Sequence, residues 1–373
     1  MGGMALIGWL ALAPLCCVQA QEPADGLFGY IDRTGRTVLP HRYIFAREFS
    51  EGLASVQVEE GWGFIDRTGV FAVAPQFEYV WMFSEGLAGV RAGAEWGFID
   101  PSGAVRIEPR FKDAGGFSGG LARIRNGRAW GFCDRNGRIV IPATFEDVRG
   151  FSYGLAPVRV NGRWGYADGA GKRVIRPEFD EAFGFSEGVA RVQAGGKWGF
   201  ITPEGKWAIR PRFDGAMSFS QGLAGVLIGG RWGFISPEGK TVIEPRFAAA
   251  SGFSEGLAAV EIDGRWGYID RAGRIRIEPR YSDAMDFSDG LAAVRSRPRE
   301  KQARRAAPKD VATAVVEKAA DPGAAERAYV KGVVCYQRGD YGCARDQWLL
   351  TKRLQPEHPA VGEWLRRLES LGF

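Results

Sequence analysis

Histidine is almost missing from this chain: the 373 residues hold only His41 and His358. His41 follows Pro40 at a predicted strand end and His358 sits in the turn after Pro356, with no nucleophile or carboxylate placed as a partner for either. A histidine-based acid–base or nucleophilic centre therefore has nothing to rest on, and no catalytic residue and no cofactor are expected. Charge is missing from the first twenty residues, MGGMALIGWLALAPLCCVQA, which end in the small-residue pattern Val18-Gln19-Ala20. Residues 1–20 read as a secretory signal cut near Gln21, which makes the protein exported, periplasmic or secreted. No Lys or Arg follows Met1, so an uncleaved anchor is the alternative; a lipid on Cys16 or Cys17 is a second, although Ala13-Pro14-Leu15 fits a lipobox poorly. The apolar stretch is short for a membrane span, and none is expected after cleavage.

Cysteine is scarce as well. Past the cut only Cys133, Cys335 and Cys343 remain, an odd count that in an oxidising compartment means one pair and one buried thiol. Cys335 and Cys343 flank a turn between two predicted helices and are the expected disulfide. No His or third Cys stands near them, so no metal is expected. Cys133 takes a slot that other copies of its motif give to Ile and should be a small buried side chain.

Glycine and tryptophan, by contrast, are plentiful, at 53 and 12 residues in an otherwise ordinary globular composition. They recur together. An aromatic-glycine pair begins at Phe28, Trp62, Trp96, Trp130, Trp164, Trp198, Trp232 and Trp266, always 34 residues apart. The phrase Phe-Ser-x-Gly-(Leu/Val)-Ala repeats in phase from Phe49 to Phe287. Eight copies in step define one repeat array over residues 26–295.

Thirty-four residues is also a helical-repeat period, so the pattern inside the unit decides between helix and strand. In VEIDGRWGYIDRAGRIRIEPRY (260–281), Val/Ile/aromatic runs are separated by Asp263-Gly264 and by a four-residue turn closing on Gly273. Asn161-Gly162 and Asp263-Gly264 suit a type I′ hairpin, in which both central residues need positive φ. Each unit is expected to be three antiparallel strands: Leu-Ala-x-Val, then Trp-Gly-Phe-Ile-Asp, then a Val/Ile strand ending at Pro and Phe. Pro109, Pro177, Pro211, Pro245 and Pro279 suit an edge or a strand end, since proline cannot donate to a ladder.

A Trp buries on the order of 200 Å², more than so small a unit can cover alone. The eight aromatics are therefore expected to anchor one repeat on the next, with the adjacent glycine giving the neighbouring unit room to approach. The six turn aspartates, Asp32, Asp66, Asp100, Asp134, Asp168 and Asp270, read as turn caps. Thr202 and Ser236 replace them in two units, which capping tolerates and a calcium array would not.

These columns resemble the bacterial WG-repeat proteins over about Gly26 to Arg295, with Phe28 marking an atypical first unit. The resemblance implies an all-β array, often exported or surface-associated, with no shared catalytic activity. The first unit lacks a Leu-Ala-x-Val strand and the last, ending in LAAVRS, lacks a Trp-Gly strand, so the ends are complementary. That favours a propeller-like ring over an open β-solenoid.

From Arg295 to Lys309 seven cations face Glu300 alone, a local charge of +6 that leaves the rest of the chain near −1. Residues 296–324 read as a basic, Ala-rich solvated linker, and export removes nucleic acid as its partner. Residues 325–373 resemble a single tetratricopeptide repeat, on Gly332, Tyr336, Gly339-Asp340-Tyr341, Ala344, Trp348 and Pro356. One such unit is too small to form a groove and is expected to dock on something.

A repeat array binds through columns in which its copies differ. Two residues before each Phe-Ser the column reads Arg47, Trp81, Gly115, Arg149, Phe183, Met217, Ser251, Met285. Arg47, Trp81, Arg149, Phe183, Met217 and Met285 are thus the candidate binding residues, expected in a loop. Two functions follow: a non-catalytic scaffold that binds envelope proteins through the array and the helical tail, or a carbohydrate- or peptidoglycan-binding module in which aromatics such as Trp81 stack on sugars.

Overall fold

The computed structural model describes residues 26–296 and, toward the C-terminus, residues 325, 328, 329, 331, 332, 336, 341–356 and 361–370. The proposed signal, most of the linker, His358 and Cys335 lie outside the described residues, as does the Cys343 side chain. The expected disulfide therefore falls there too.

Residues 28–295 form eight four-stranded antiparallel sheets arranged as the blades of a β-propeller. Blades 1 to 7 are continuous segments of chain: 45–77, 79–111, 113–145, 147–179, 181–213, 215–247 and 249–281. Blade 8 is shared between the two ends of the array, because Phe28–Asp32 pairs with Leu291–Arg295 in register from Phe28↔Arg295 to Asp32↔Leu291. The two incomplete end units complete one another, and the ring closes on a blade built like the other seven.

Each blade has one strand more than the three expected from the sequence. A short inner strand pairs with the Leu-Ala strand; it is six residues long and ends in the Phe-Ser phrase in blades 1, 3 and 5, and two residues long in the others, where the serine of the phrase makes a single bridge to the Leu. The turn joining them is a two-residue hairpin in which both central residues have positive φ, as at Glu85 (55°) and Gly86 (76°). In six blades the first position is Glu, Tyr or Gln, which lacks the Asn-Gly or Asp-Gly signature, and only Gly119-Gly120 and Asp289-Gly290 carry a turn pair, which is why the hairpin is faint in the sequence. The expected type I′ turns are present, with φ of 51° and 74° at Asn161-Gly162 and 50° and 70° at Asp263-Gly264.

The glycine of each Trp-Gly pair serves its own blade rather than the next one. Trp266 faces Tyr281 and Tyr268 faces Ile277, so two residues of the central strand span four of the outer strand, which bulges at Pro279. A Cβ on Gly267 would lie 2.5 Å from the Ile277 carbonyl oxygen and 2.7 Å from the Pro279 nitrogen. The same close backbone approach occurs at Gly29, Gly63, Gly97, Gly131, Gly165, Gly199 and Gly233. The prolines thus sit in the outer edge strand, where a missing N–H costs no ladder bond and blunts the edge against pairing with another chain.

Packing between blades falls chiefly to the aromatic two residues after each anchor. Tyr30, Phe64, Phe98, Phe132, Tyr166, Phe200, Phe234 and Tyr268 each meet the Phe-Ser phenylalanine of the following blade, ring centroids 4.6–5.1 Å apart. Phe28, Trp62, Trp96, Trp164, Trp198 and Trp232 are buried, while Trp130 and Trp266 are half-buried. Trp62 packs on Phe45 of its own blade and Tyr79 of the next.

The turn aspartates act as caps. Asp100 Oδ1 accepts the Ser102 and Ala104 amides at 2.9 and 3.1 Å, and the other five aspartates repeat the pattern. Cys133 is free and buried, and burial pushes its thiol up to about 12.

Candidate functional site

The variable column lies in the inner strand of blades 1, 3 and 5 and directly after it in the other five. It is coupled to a second column that the sequence reading passed over, the x of Leu-Ala-x-Val: Ser55, Gly89, Arg123, Pro157, Arg191, Gly225, Ala259 and Ala293. The two positions face each other across the innermost strand pair, as the Trp81 amide donating to the Gly89 carbonyl at 2.8 Å and the Met217 amide donating to Gly225 at 2.8 Å show. They share one space. A Cβ on Gly89 would meet Trp81 Cδ1 at 3.0 Å, one on Gly225 would meet Met217 Sδ at 2.8 Å, and one on Gly115 would overlap the Arg123 side chain.

Each blade therefore puts one long side chain into this slot, from one column or the other. Two blades depart from the rule. Blade 5 fills it twice, with Phe183 and Arg191, whose guanidinium carbon lies 3.6 Å from the ring centroid. Blade 7 leaves it small, with Ser251 and Ala259, beside a cavity of about 380 Å³ bordered by Met217 and Asp286.

The long side chains tie blades together. Arg47 Nη1 donates to the Val80 carbonyl at 2.6 Å and Trp81 Nε1 to the Ala114 carbonyl at 2.6 Å. Arg123 Nη1 reaches the Val148 carbonyl at 3.4 Å, and Arg191 Nη1 donates to Ala216. Arg149 instead meets the buried Glu181 carboxylate at 2.5 Å and lies 3.4 Å from the Phe183 centroid. The six candidate binding residues thus divide. Arg47, Met217 and Met285 are buried packing residues, which the sequence could not distinguish from exposed ones. Trp81, Arg149 and Phe183 are half-buried and border one cavity of about 850 Å³.

This cavity spans the inner strands of blades 2 to 5, and Tyr329, Tyr336 and Trp364 of the C-terminal segment also line it. Helices α1 (Tyr341–Leu354) and α2 (Val361–Ser370) pack through Trp348 and Trp364, whose rings stack at 5.1 Å. A Cβ at Gly332 would overlap the Trp348 indole, which donates to the Tyr329 carbonyl at 3.1 Å. One apolar cluster joins Trp198, Phe213 and Ala216 of the ring to Tyr336, Trp348 and Leu365 of the tail, with Phe183 against it. The segment expected to dock does so on the propeller.

Sequence reasoning missed Arg123, Arg125, Trp130, Asp113 and Asp147 in the cavity wall. The signal was present at Arg123, which with Arg191 is one of two charged residues in an otherwise small or imino-acid column. Arg123 lies 5.8 Å from the Trp81 ring centroid and 5.4 Å from that of Trp130. Arg125 pairs with Asp113 at 3.5 Å. Burial raises the Asp113 carboxyl above its usual range, with Arg123 and Arg125 pulling the other way. Among the described residues no group of three or more His, Cys, Asp and Glu is placed to hold a metal, and no helix is long and apolar enough to cross a membrane.

A closed ring of eight four-stranded blades, its inner wall carrying the variation, defines the class: an eight-bladed β-propeller. The chain belongs to the WG containing repeat family, whose model matches residues 28–61, 62–94, 96–128, 130–164, 164–198, 198–232, 232–266 and 266–297. No curated protein matches it. Among solved structures it is similar to PorZ, a bacterial surface component of the type-IX secretion system of Porphyromonas gingivalis, at 12% identity and a TM-score of 0.39, covering 70% of this chain and 42% of that one. It is also similar to Hsv2 of Kluyveromyces lactis at 9% identity and a TM-score of 0.43, covering 61% of this chain and 93% of that one. Likenesses this remote carry no functional argument.

Proposed function

We propose that this protein is a non-catalytic binding scaffold of the cell envelope, exported by its N-terminal segment, in which the ring is the rigid frame and the tetratricopeptide-like tail engages a partner protein. One observation carries the reading: the repeat is broken by large aromatic and cationic side chains where the tail and the ring enclose a common cavity. Ligand sites are concave, largely apolar and furnished with a few polar groups, and about 300–1,000 Å³ is their usual size. The tail also leaves Leu349, Leu350 and Leu354 of α1 exposed, an apolar strip on which a partner helix can pack.

Capture from an envelope fraction tests it. The full chain should retain a specific protein that the double variant Leu350→Glu/Leu354→Glu releases, and the mature protein should be recovered outside the cytoplasm. A chain that stays cytoplasmic, or captures nothing specific, overturns the proposal. The saccharide-binding reading is favoured by a different observation, the composition of the cavity wall.

A further inference from the structure

We infer that the cavity between blades 2 to 5 and the C-terminal helices is a binding site for an uncharged oligosaccharide; the inference rests on the binding-scaffold reading and names its ligand class. The cations of the wall are mostly matched by carboxylates in it or just behind it. Five cations line it, and four are paired: Arg91 with Glu78 at 2.9 Å, Lys112 with Glu95 at 3.2 Å, Arg125 with Asp113 at 3.5 Å and Arg149 with Glu181 at 2.5 Å. The fifth, Arg123, shares the wall with the Asp147 carboxylate, whose Oδ1 accepts the Val148 amide at 2.9 Å. Four of the five cations thus already have a carboxylate partner, so an anionic ligand would compete with partners in place, at the greatest cost at Arg149, where it would unpair the buried Glu181.

A ligand that donates and accepts hydrogen bonds at the same time meets no such cost. Sugar hydroxyls do both, and ion-paired guanidinium and carboxylate groups keep spare donors and lone pairs in fixed planes. The rest of the wall supplies flat apolar faces. Trp81, stacked on the buried Trp96 at 6.1 Å, and Trp130 and Trp364 are half-buried in it, whereas the Phe183 ring is covered by the Arg149 and Arg191 guanidiniums. Ring faces of this kind suit the C–H face of a pyranose, which is apolar on one side and hydroxylated at its rim.

The full chain, titrated by calorimetry and tryptophan fluorescence with chitotetraose and cellotetraose, should bind at least one of them. Tetragalacturonic acid serves as the anionic comparison and should bind more weakly. Trp81→Ala should weaken binding by at least about tenfold, whereas Trp81→Phe, which keeps a ring face, should stay within about threefold. Trp207→Ala, on an outer strand of blade 5, should leave affinity unchanged. Circular dichroism melts confirm that each variant is folded. Absence of binding to both neutral probes, stronger binding of the acid, or full affinity in a folded Trp81→Ala variant overturns the inference. If sugars fail while specific protein capture persists, the scaffold reading stands alone; if capture fails too, both fall.

Discussion

Ser288 Oγ donates to the Phe49 carbonyl at 2.6 Å across 239 positions of sequence, repeating at the seam of the ring a bond that Ser50 makes to Phe83 at 2.7 Å. Donor and acceptor are the same two columns at seven of the eight junctions, Ser152 instead accepting the Phe185 amide at 2.6 Å, so the seam is chemically equivalent to most of its neighbours. Arg280 closes a second circuit, donating to the Gly35 carbonyl at 2.6 Å as Arg246 does to Gly273. A ring held this way has no free end from which to fray.

Truncation of a Phe-Ser phenylalanine should therefore cost much the same wherever it is made. Phe49→Ala, Phe219→Ala and Phe287→Ala each remove a ring at most 2% exposed, with an expected loss of about 3–5 kcal/mol. Urea unfolding should show one cooperative transition shifted alike in all three. A seam variant markedly milder than the mid-array one would mean that blade 8 is dispensable.

Gly199→Ala, which brings a Cβ to 2.6 Å from the Ile209 carbonyl oxygen, should destabilise by about 1–3 kcal/mol through forced backbone movement. Gly252→Ala, with nothing within 4 Å of the added carbon, is the control and should shift stability by less than about 0.5 kcal/mol. Equal effects in thermal melts would refute the bulge as the reason for the conserved spacing of Trp and Gly along the chain.

The shared slot predicts compensation. Met217→Ala empties a buried site and should cost about 2–5 kcal/mol, and Gly225→Met alone should cost about 1–3 kcal/mol by overpacking. Because Met217 Sδ already lies 2.8 Å from the Cβ position of residue 225, the double variant should be more stable than the sum of the singles by at least about 1 kcal/mol. Strict additivity in a double-mutant cycle would show that the two columns do not share space.

Acid should weaken the ring in two stages. Burial holds His41 below its usual pKa, its Nδ1 being 3.1 Å from the Leu27 carbonyl oxygen. The unfolded chain therefore takes up this proton first, at about pH 6.5, and stability falls as pH drops below that value. The Ser102 hydroxyl, with Arg106, lowers Asp100 to about 2, and Asp32, Asp66 and Asp270 are lowered as well. Their contribution is full above the usual carboxylate range near pH 4 and is lost as pH falls through the depressed values. The melting temperature should decline below about pH 6.5 and again below about pH 4. His41→Gln should remove the first decline, and Asp100→Asn should lessen the second.

Much of the fold was legible in the sequence because the repeat writes each structural demand eight times. Glycine at positive φ, aspartate at the turn and alternation along the strands are local requirements, and local requirements leave local marks. The inner strand left few, since its hairpin uses pairs such as Glu85-Gly86 in most blades and a signature pair only at Gly119-Gly120 and Asp289-Gly290. The Trp-Gly glycine was visible but misassigned, because only three dimensions show that the Pro279 bulge, and not the next blade, presses on Gly267.

The candidate site was legible only in part. Trp81, Arg149 and Phe183 stood out as variants in a regular column, yet Met217 and Met285 stood out equally and are buried. By itself the sequence determined three of the four strands in each blade, two of its turns, the repeat count and the complementary ends, since each follows from spacing along one chain. The tertiary structure decided which variable side chains fill a gap between blades and which face a cavity, because that depends on what the partner column contributes to the same volume. It also decided that the tail and Arg123, Trp130 and Asp147 meet around that cavity, contacts made across sequence separations that no periodicity records.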